Sequence, residues 1–222
     1  SWEFSLGPEF PSTVEGGGSL IEVLSAAAEH WLGEKHQAGC ALLVKLLDAG
    51  DDLSVQIHPS DGDPELASDQ SGKPETWYVL HAEPDAGLYF GFRSGVTRQE
   101  LEAISNRGGN LADALHFEKV TSGDFFVVPA GTPHAIGKGV TVVEPQWVAP
   151  GKKGVTYRFG DWNRRYNSAG LLDPNGLPRA LHLEEALRVS RWGISPEELL
   201  KKCRLRLGHA AGNELVAEPC CG

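Results

Sequence analysis

The sequence predicts a mainly β fold with α-helices at its flanks, on three observations. Short apolar or alternating runs of strand length cluster between about residue 40 and residue 160. Glycine and proline are frequent, 27 and 14 of 222 residues, which supplies turns between many short elements. The clearest helix starts, a Ser-x-x-Glu pattern at Ser19 and Ser-Pro-Glu-Glu at Ser195, stand towards the two ends.

In chain order, Ser19-Leu20-Ile21-Glu22 has capping-box spacing and opens a helix to about Trp31, before Gly33. Leu42 to Leu47 is a short apolar run, the pattern of a buried strand. Leu53 to His58 alternates, with Val55 and Ile57 on one face and Ser54, Gln56 and His58 on the other. Pro59 to Gly72 is polar and turn-rich, a loop. Glu75 to Leu80 is a strand carrying Glu75, Trp77 and Val79 on one face. Leu88 to Phe92 is another. Thr97 to Glu100 repeats the capping pattern and starts a helix to about Ser105, and Leu111 to Leu115 forms a short helix. Phe117 to Val120, Phe125 to Val128, Val140 to Glu144 and Val155 to Phe159 are strands. Trp162 to Arg179 is a long polar connection. Leu181 to Val189 is helical, and the last helix starts at Ser195 with proline in its first turn.

Composition excludes several classes of function. With 20 Lys and Arg against 30 Asp and Glu the net charge is -10, the wrong sign for general nucleic-acid binding. An anionic ligand would need a local cluster of cations. No apolar stretch approaches the roughly 20 residues that span a bilayer, so no membrane partner is expected. Six Trp and eight Phe in an apolar pattern exclude a disordered chain. Cys40, Cys203, Cys220 and Cys221 include no C-x-x-C pair and are read as reduced thiols in a cytoplasmic setting. No signal peptide is visible, and the absence of Met together with the strand-like start Ser1-Trp2-Glu3-Phe4 suggests a fragment.

Two segments carry the chemistry. In Gly50-x5-Gln56-Ile57-His58 the period of two puts Gln56 and His58 on one strand face, although a polar pair on a strand is ordinarily its solvated side. In Gly123-x5-Pro129-Ala130-Gly131-Thr132-Pro133-His134 a histidine follows a tightly constrained turn, which holds it as a metal ligand needs to be held. Taken together, the two segments resemble the two-part signature of the cupin barrel, a jelly-roll-like double-stranded β-helix. Gln56 stands where the first histidine is usual, and Lys138 where an asparagine is usual. Glu75 lies beyond an inserted loop.

That variation resembles one branch, the type I phosphomannose isomerases, particularly their short bacterial form. The resemblance runs from Ser1 to about Val189. Its segments are Ser1-Trp2-Glu3, Ser54 to Pro59, Gly72 to Tyr78, Gly123 to Ile136, Glu144, Thr156-Tyr157-Arg158 and Leu181-His182-Leu183. It implies one Zn²⁺ held by Gln56, His58, Glu75 and His134, donors that other divalent metals also accept. It implies interconversion of mannose 6-phosphate and fructose 6-phosphate through an enediol, with Arg158, Lys73 and Glu144 catalytic and Ser54, Lys73 and Arg158 touching the sugar phosphate. The sequence leaves the proton-moving base open.

The resemblance further implies an isomerase domain over 1–180, with a helical insert near 97–115, and a C-terminal helical segment over 181–222 that is shorter than in the family. Family chains begin upstream of the Ser-Trp-Glu segment, and an incomplete barrel leaves open sheet edges, which a homodimer would cover. Arg164 and Arg179 read as solvated loop cations. His30, His36, His81, His116 and His209 match no ligand motif, and His182 reads as a capping or packing residue. Two other functions compete: a different metal-dependent cupin enzyme, and a non-catalytic sugar-phosphate-binding domain. The second is motivated by Gly151-Lys152-Lys153-Gly154, where family members carry Ser-Asp.

Overall fold

The computed structural model describes residues 1–7, 11–34, 39–107, 109, 111–209 and 215–219. Two sheets dominate. The larger has seven strands in the order β1 (Trp2–Phe4), β2 (Leu42–Asp48), β10 (Val140–Trp147), β5 (Glu75–Ala82), β8 (Asp124–Val128), β15 (Arg204–His209) and β16 (Leu215–Pro219). The smaller has five, in the order β12 (Tyr157–Gly160), β3 (Val55–Ile57), β9 (His134–Ile136), β6 (Gly87–Phe92) and β7 (Leu115–Lys119). All pairings within both are antiparallel. The mainly β expectation holds.

The sheets pack face to face. Trp77, Val79, Phe126 and Val142 of the larger meet Leu88, Phe90 and Ile136 of the smaller, and the Phe90 ring lies 5.6 Å from that of Phe126 and 6.3 Å from that of Trp77. The smaller sheet buries its other face as well. Val55, Ile57, Ala135 and Phe159 pack there against Leu101 and Ile104 of α3 (Arg98–Asn106) and Ala186 and Leu187 of α4 (Leu183–Val189). Its strands are therefore apolar on alternate residues for the helices and mixed on the others.

The inward residues of the larger sheet change character along the strands. They read Glu75, Trp77, Val79 on β5 and Gln146, Glu144, Val142, Val140 on β10, and the antiparallel register sets Glu75 opposite Gln146 and Val79 opposite Val142. One end of the interior is thus polar and the other apolar. The apolar end is the core; the polar end holds the site.

Local signals explain most elements. The Ser19 and Ser195 capping boxes both form, the latter starting α5 (Pro196–Cys203). Thr97 accepts from the Glu100 amide and starts α3. The first helix divides at Ala27 into α1 (Leu20–Ala26) and α2 (Ala28–Leu32). A 3-10 turn spans Leu111–Ala114. The β10 strand runs three residues past its predicted end through Pro145, whose carbonyl accepts from the Thr76 hydroxyl at 3.2 Å. Two short pairs complete the fold, β4 (Gln70–Ser71) with β11 (Lys153–Gly154), and β13 (Arg165–Tyr166) with β14 (Leu177–Pro178).

The segment expected to be helical from 181 onward carries α4 and α5 and then two strands. Arg204 and Leu205 pair with Phe126 and Phe125 on the edge of β8, and the Arg204 guanidinium bonds Asp124 at 2.8 Å and also Glu118. The Arg-Leu-Arg-Leu alternation at 204–207 is the period-two signal for this strand.

Phe126→Ala, emptying the centre of the inter-sheet core, is expected to destabilise the fold by about 3–5 kcal/mol. Leu80→Ala, on a residue 41% exposed, is expected to cost under about 1 kcal/mol. Urea unfolding of the two variants checks the contrast.

Candidate metal centre

Three backbone devices hold the two histidines. His58 follows β3, and its Nδ1 donates to the Val155 carbonyl at 3.0 Å. His134 opens β9 directly opposite Gln56, and its Nδ1 donates to the Thr132 carbonyl at 2.9 Å. The Pro129–Pro133 turn joins them, because the Gly131 amide donates to the His58 carbonyl at 2.9 Å. Gly131 has φ +79°, and a Cβ there would stand 2.7 Å from the Val189 carbonyl oxygen, so glycine is required on both counts. A turn rigid at this point delivers His134 beside His58, with ring centroids 5.0 Å apart.

Glu75, at the start of β5, faces both rings. Its Oε1 is 3.0 Å from His58 Nε2 and its Oε2 is 3.6 Å from His134 Nε2. One ligand atom from each of the three residues lies within 4.8 Å of the others, and all three residues are buried.

The donor chemistry tests whether a cation fits. A backbone carbonyl only accepts, so each Nδ1 carries the proton and each neutral ring presents a lone pair at Nε2. His58 Nε2 is buried without a hydrogen-bond partner although a carboxylate oxygen is 3.0 Å away. Lone pair therefore faces lone pair, and a cation must lie between: a proton or a metal. Burial disfavours the proton, pushing His134 down to about 4 and His58 below its ordinary range. Burial also opposes the charge of Glu75, but the Lys73 ammonium beside it, together with either ring whenever that ring takes up a second proton, holds the carboxyl well below the usual range. Two neutral imidazoles, each oriented by a carbonyl behind it, and one charged carboxylate fit a divalent metal.

The other residues singled out by the sequence are distributed around this centre. Lys73 Nζ is 3.2 Å from Glu75 Oε1, and Gly154 leaves room for its stem, since a Cβ there would stand 2.9 Å from Lys73 Cδ. Gln56 donates its amide to the buried Ser54 hydroxyl at 2.8 Å, which leaves its Oε1 as the atom open to a cation. Arg158 lies opposite Gln56 on the neighbouring strand. Its Nη1 donates to the Ala180 carbonyl at 3.2 Å while its Nε is buried without a partner. Burial and the nearby Arg179 lower its pKa. Glu144 accepts from the Trp77 indole at 3.0 Å, and burial with the Glu75 charge raises it to about 7.

Several cations stay outside. Arg164 is taken up by Asp161 and by the Asp52 carbonyl at 2.7 Å, and Arg179 stacks over Tyr166 at 4.3 Å. Lys152 and Lys153 are exposed. His182 Nδ1 accepts the Arg158 amide at 3.1 Å and makes no side-chain cap. His116 pairs with Glu118 at 3.1 Å. His36, Cys220, Cys221 and the side chain of His209 lie outside the described residues.

Sequence reasoning missed two neighbours. Gln146 donates its amide to Glu75 Oε1, and Lys45 Nζ sits 3.4 Å from Glu144 Oε2. Both had a signal: Gln146 follows Glu144 by two on one strand face, and Lys45 is the lone cation in the apolar run Leu42–Leu47.

In the metal-free chain Glu144 and His134 impose opposite pH slopes. Glu144 is raised to about 7 from 4.5, so its contribution is fully present below pH 4.5 and is lost as pH rises through 7. His134 is lowered to about 4 from 6.5, so its contribution is present above pH 6.5 and is lost as pH falls through 4. Glu144→Gln removes the first slope. Its stability relative to the parent chain is expected to grow by about 1–3 kcal/mol between pH 4.5 and 7, measured by urea unfolding at stepped pH.

Comparison with known proteins agrees with this architecture. No family model matches the chain. The mannose-6-phosphate isomerase ManA of Bacillus subtilis is 34% identical over 200 residues, covering 88% of this chain and 59% of that protein. The mannose-6-phosphate isomerase of Streptococcus mutans is 34% identical over 191 residues, 85% of this chain and 56% of that one. The crystal structure of the B. subtilis mannose 6-phosphate isomerase superposes with a TM-score of 0.72 at 31% identity, covering 95% of this chain and 63% of its own. A mannose 6-phosphate isomerase bound with zinc and yttrium shares the fold at 16% identity, with a TM-score of 0.61 over 94% of this chain and 69% of that one. The chain thus spans less than two thirds of the length of the two curated relatives and of the B. subtilis structure. By sequence across most of its residues, and by its pair of antiparallel sheets, the chain belongs to the type I phosphomannose isomerase family.

Proposed function

We propose that the chain is a metal-dependent aldose–ketose isomerase that interconverts mannose 6-phosphate and fructose 6-phosphate, with Gln56, His58, Glu75 and His134 as ligands of one Zn²⁺. The observation that carries the reading is the buried pair of imidazole lone pairs turned on a carboxylate, a set that calls for a divalent cation. The family and the names of its members supply the substrate.

Bound zinc would supply Lewis acidity towards an oxygen of the open-chain sugar. The protein's own groups do the rest. Glu144 takes the proton from C2. The C2–H electron pair becomes the C1=C2 bond, the carbonyl pair moves to O1, and a proton passes from O2 to O1. Glu144 then returns its proton to C1 as C2=O forms. A carboxylate raised by burial above its ordinary range suits both halves of that exchange. Lys73 donates to a substrate hydroxyl or to the charge that develops on it. Arg158, fixed through Ala180, offers its guanidinium to the phosphate or a sugar oxygen. Ser54 locks the Gln56 amide by accepting its N–H. No helix among the described residues is long and apolar enough to cross a membrane. A cytoplasmic setting fits the free thiols of Cys40 and Cys203.

A coupled assay for fructose 6-phosphate tests the reading. Turnover is expected from the purified chain, lost on chelation and restored by zinc. Absence of turnover from a folded, zinc-loaded chain refutes it and leaves a sugar-phosphate-binding domain. His58→Ala and His134→Ala are each expected to abolish bound metal, counted by elemental analysis, together with turnover. Arg158→Ala is expected to lower kcat/KM about 10²–10³-fold, with partial recovery in Arg158→Lys.

A further inference from the structure

Between the candidate ligands His58 and Glu75 the chain leaves the site and returns to it. Residues 59–72 form this excursion, and its two ends meet again at a narrow neck. There the Gly72 amide donates to Asp61 Oδ1 at 2.8 Å. Gly72 passes so close to the outgoing chain that a Cβ on it would stand 2.7 Å from the Pro59 carbonyl oxygen and 2.9 Å from the Asp61 amide nitrogen. Gly72 is not in left-handed backbone, so this close approach alone calls for glycine. Pro59, Ser71, Gly72 and Lys73 are all buried.

The neck is wired to both sides of the site. The Val155 amide donates to the Ser71 carbonyl at 3.0 Å, and the Val155 carbonyl is the group that accepts from His58 Nδ1. The Ser71 hydroxyl donates to the Gly72 carbonyl at 2.8 Å and accepts from the Ala149 amide at 3.3 Å. Lys73 follows at once, with its ammonium 3.2 Å from Glu75 Oε1. One hydrogen-bonded circuit thus joins the outgoing ligand His58 to the returning pair Lys73 and Glu75. The far part of the loop is held separately, by Arg188 of α4, which contacts Asp63 at 2.7 Å and Glu65 at 3.0 Å.

We propose that Asp61 is a positioning residue of the metal centre, closing the neck of the loop on Gly72 so that His58 and Glu75 are ordered towards each other before a cation arrives. The proposal rests on the metal site of the isomerase reading and not on its substrate. Asp61 acts through Gly72 and Ser71, on the backbone that orients His58 and carries Lys73. Ligands ordered in advance lose less freedom on binding, and removal of a group that orients a ligand weakens the metal.

The test measures zinc affinity of the full chain by competition with a chromophoric chelator. The variants are Asp61→Ala, Asp61→Asn, Gly72→Ala and Glu65→Ala, with His58→Ala marking binding at this site. Asp61→Ala is expected to weaken zinc about 10–100-fold. Asp61→Asn keeps an oxygen that can accept the Gly72 amide and is expected to recover most of that loss. Gly72→Ala forces the neck open from its other side and is expected to weaken zinc by a similar factor, which tests the neck even if Asp61→Ala does not fold. Glu65→Ala, at the far part of the same loop, is expected to leave zinc affinity within about twofold of the parent.

Urea unfolding of the metal-free variants separates this role from a merely structural one. Asp61→Ala that loses stability but, once folded, binds zinc as tightly as the parent overturns the proposal. So does Asp61→Asn as weak as Asp61→Ala, or a loss in Glu65→Ala of the same size. A parent chain that binds zinc through His58 without turnover refutes the isomerase reading alone, because the affinities are read without substrate. A parent chain that binds no zinc refutes both.

Discussion

Two imidazoles that hold no proton cheaply face one carboxylate that keeps its charge, all of them out of water. His58 and His134 are committed at Nδ1 to backbone carbonyls, so only their Nε2 lone pairs reach Glu75. Low-polarity surroundings penalise charge on either ring, while Lys73 and Gln146 both donate to Glu75. The surrounding structure serves to hold these three groups in an arrangement that is complete only with a cation between them.

The double sheet achieves this by dividing its interior. The same inward positions that are valine at one end are Glu75, Glu144 and Gln146 at the other, so the register that packs the core also aligns the polar residues. Helices α3 and α4 pack on the far side of the smaller sheet, and Leu199 and Cys203 of α5 join the core between the sheets. The Pro129–Pro133 turn and the Gly131–His58 hydrogen bond convert two distant chain segments into one rigid unit. The site is thus carried on strand ends and a braced turn, which limits the freedom its ligands lose when they are ordered.

The segment after β12 is braced separately. Trp162 and Asn163 both adopt left-handed backbone, with φ of 54° and 57°. The turn they make buries Asp161, which accepts from Arg164 and from the Tyr166 hydroxyl at 2.8 Å. The Trp162 indole donates to the Leu53 carbonyl at 2.7 Å, next to Ser54. Arg179 Nε also lies 3.7 Å from Asp161, so this carboxylate engages both arginines that sequence alone leaves free, and Arg158 remains as the cation adjoining Gln56. Left-handed backbone at a bulky tryptophan is unfavourable, and the bonds that Asp161 accepts together with the indole hydrogen bond offset it.

Local chemistry determined much of this protein from sequence. Capping residues at Ser19, Thr97 and Ser195 set helix starts, and period-two alternation set the strands and their faces, whereas Gln56, His58, Glu75 and His134 were implied as a ligand set by the resemblance to a family. The caps and the alternation depend on residues near one another along the chain. Tertiary structure decided what depends on contacts between distant segments. The Arg204 strand needed the open edge of β8. The extension of β10 through Pro145 needed a hydroxyl from Thr76. Lys45 and Gln146 entered the site only because antiparallel register set them opposite Glu144 and Glu75, and register between strands separated by 70 to 100 residues is fixed by packing rather than by local sequence. The protonation state of the centre was likewise undecided until burial was known, because desolvation acts on the folded interior and not on the composition of the chain.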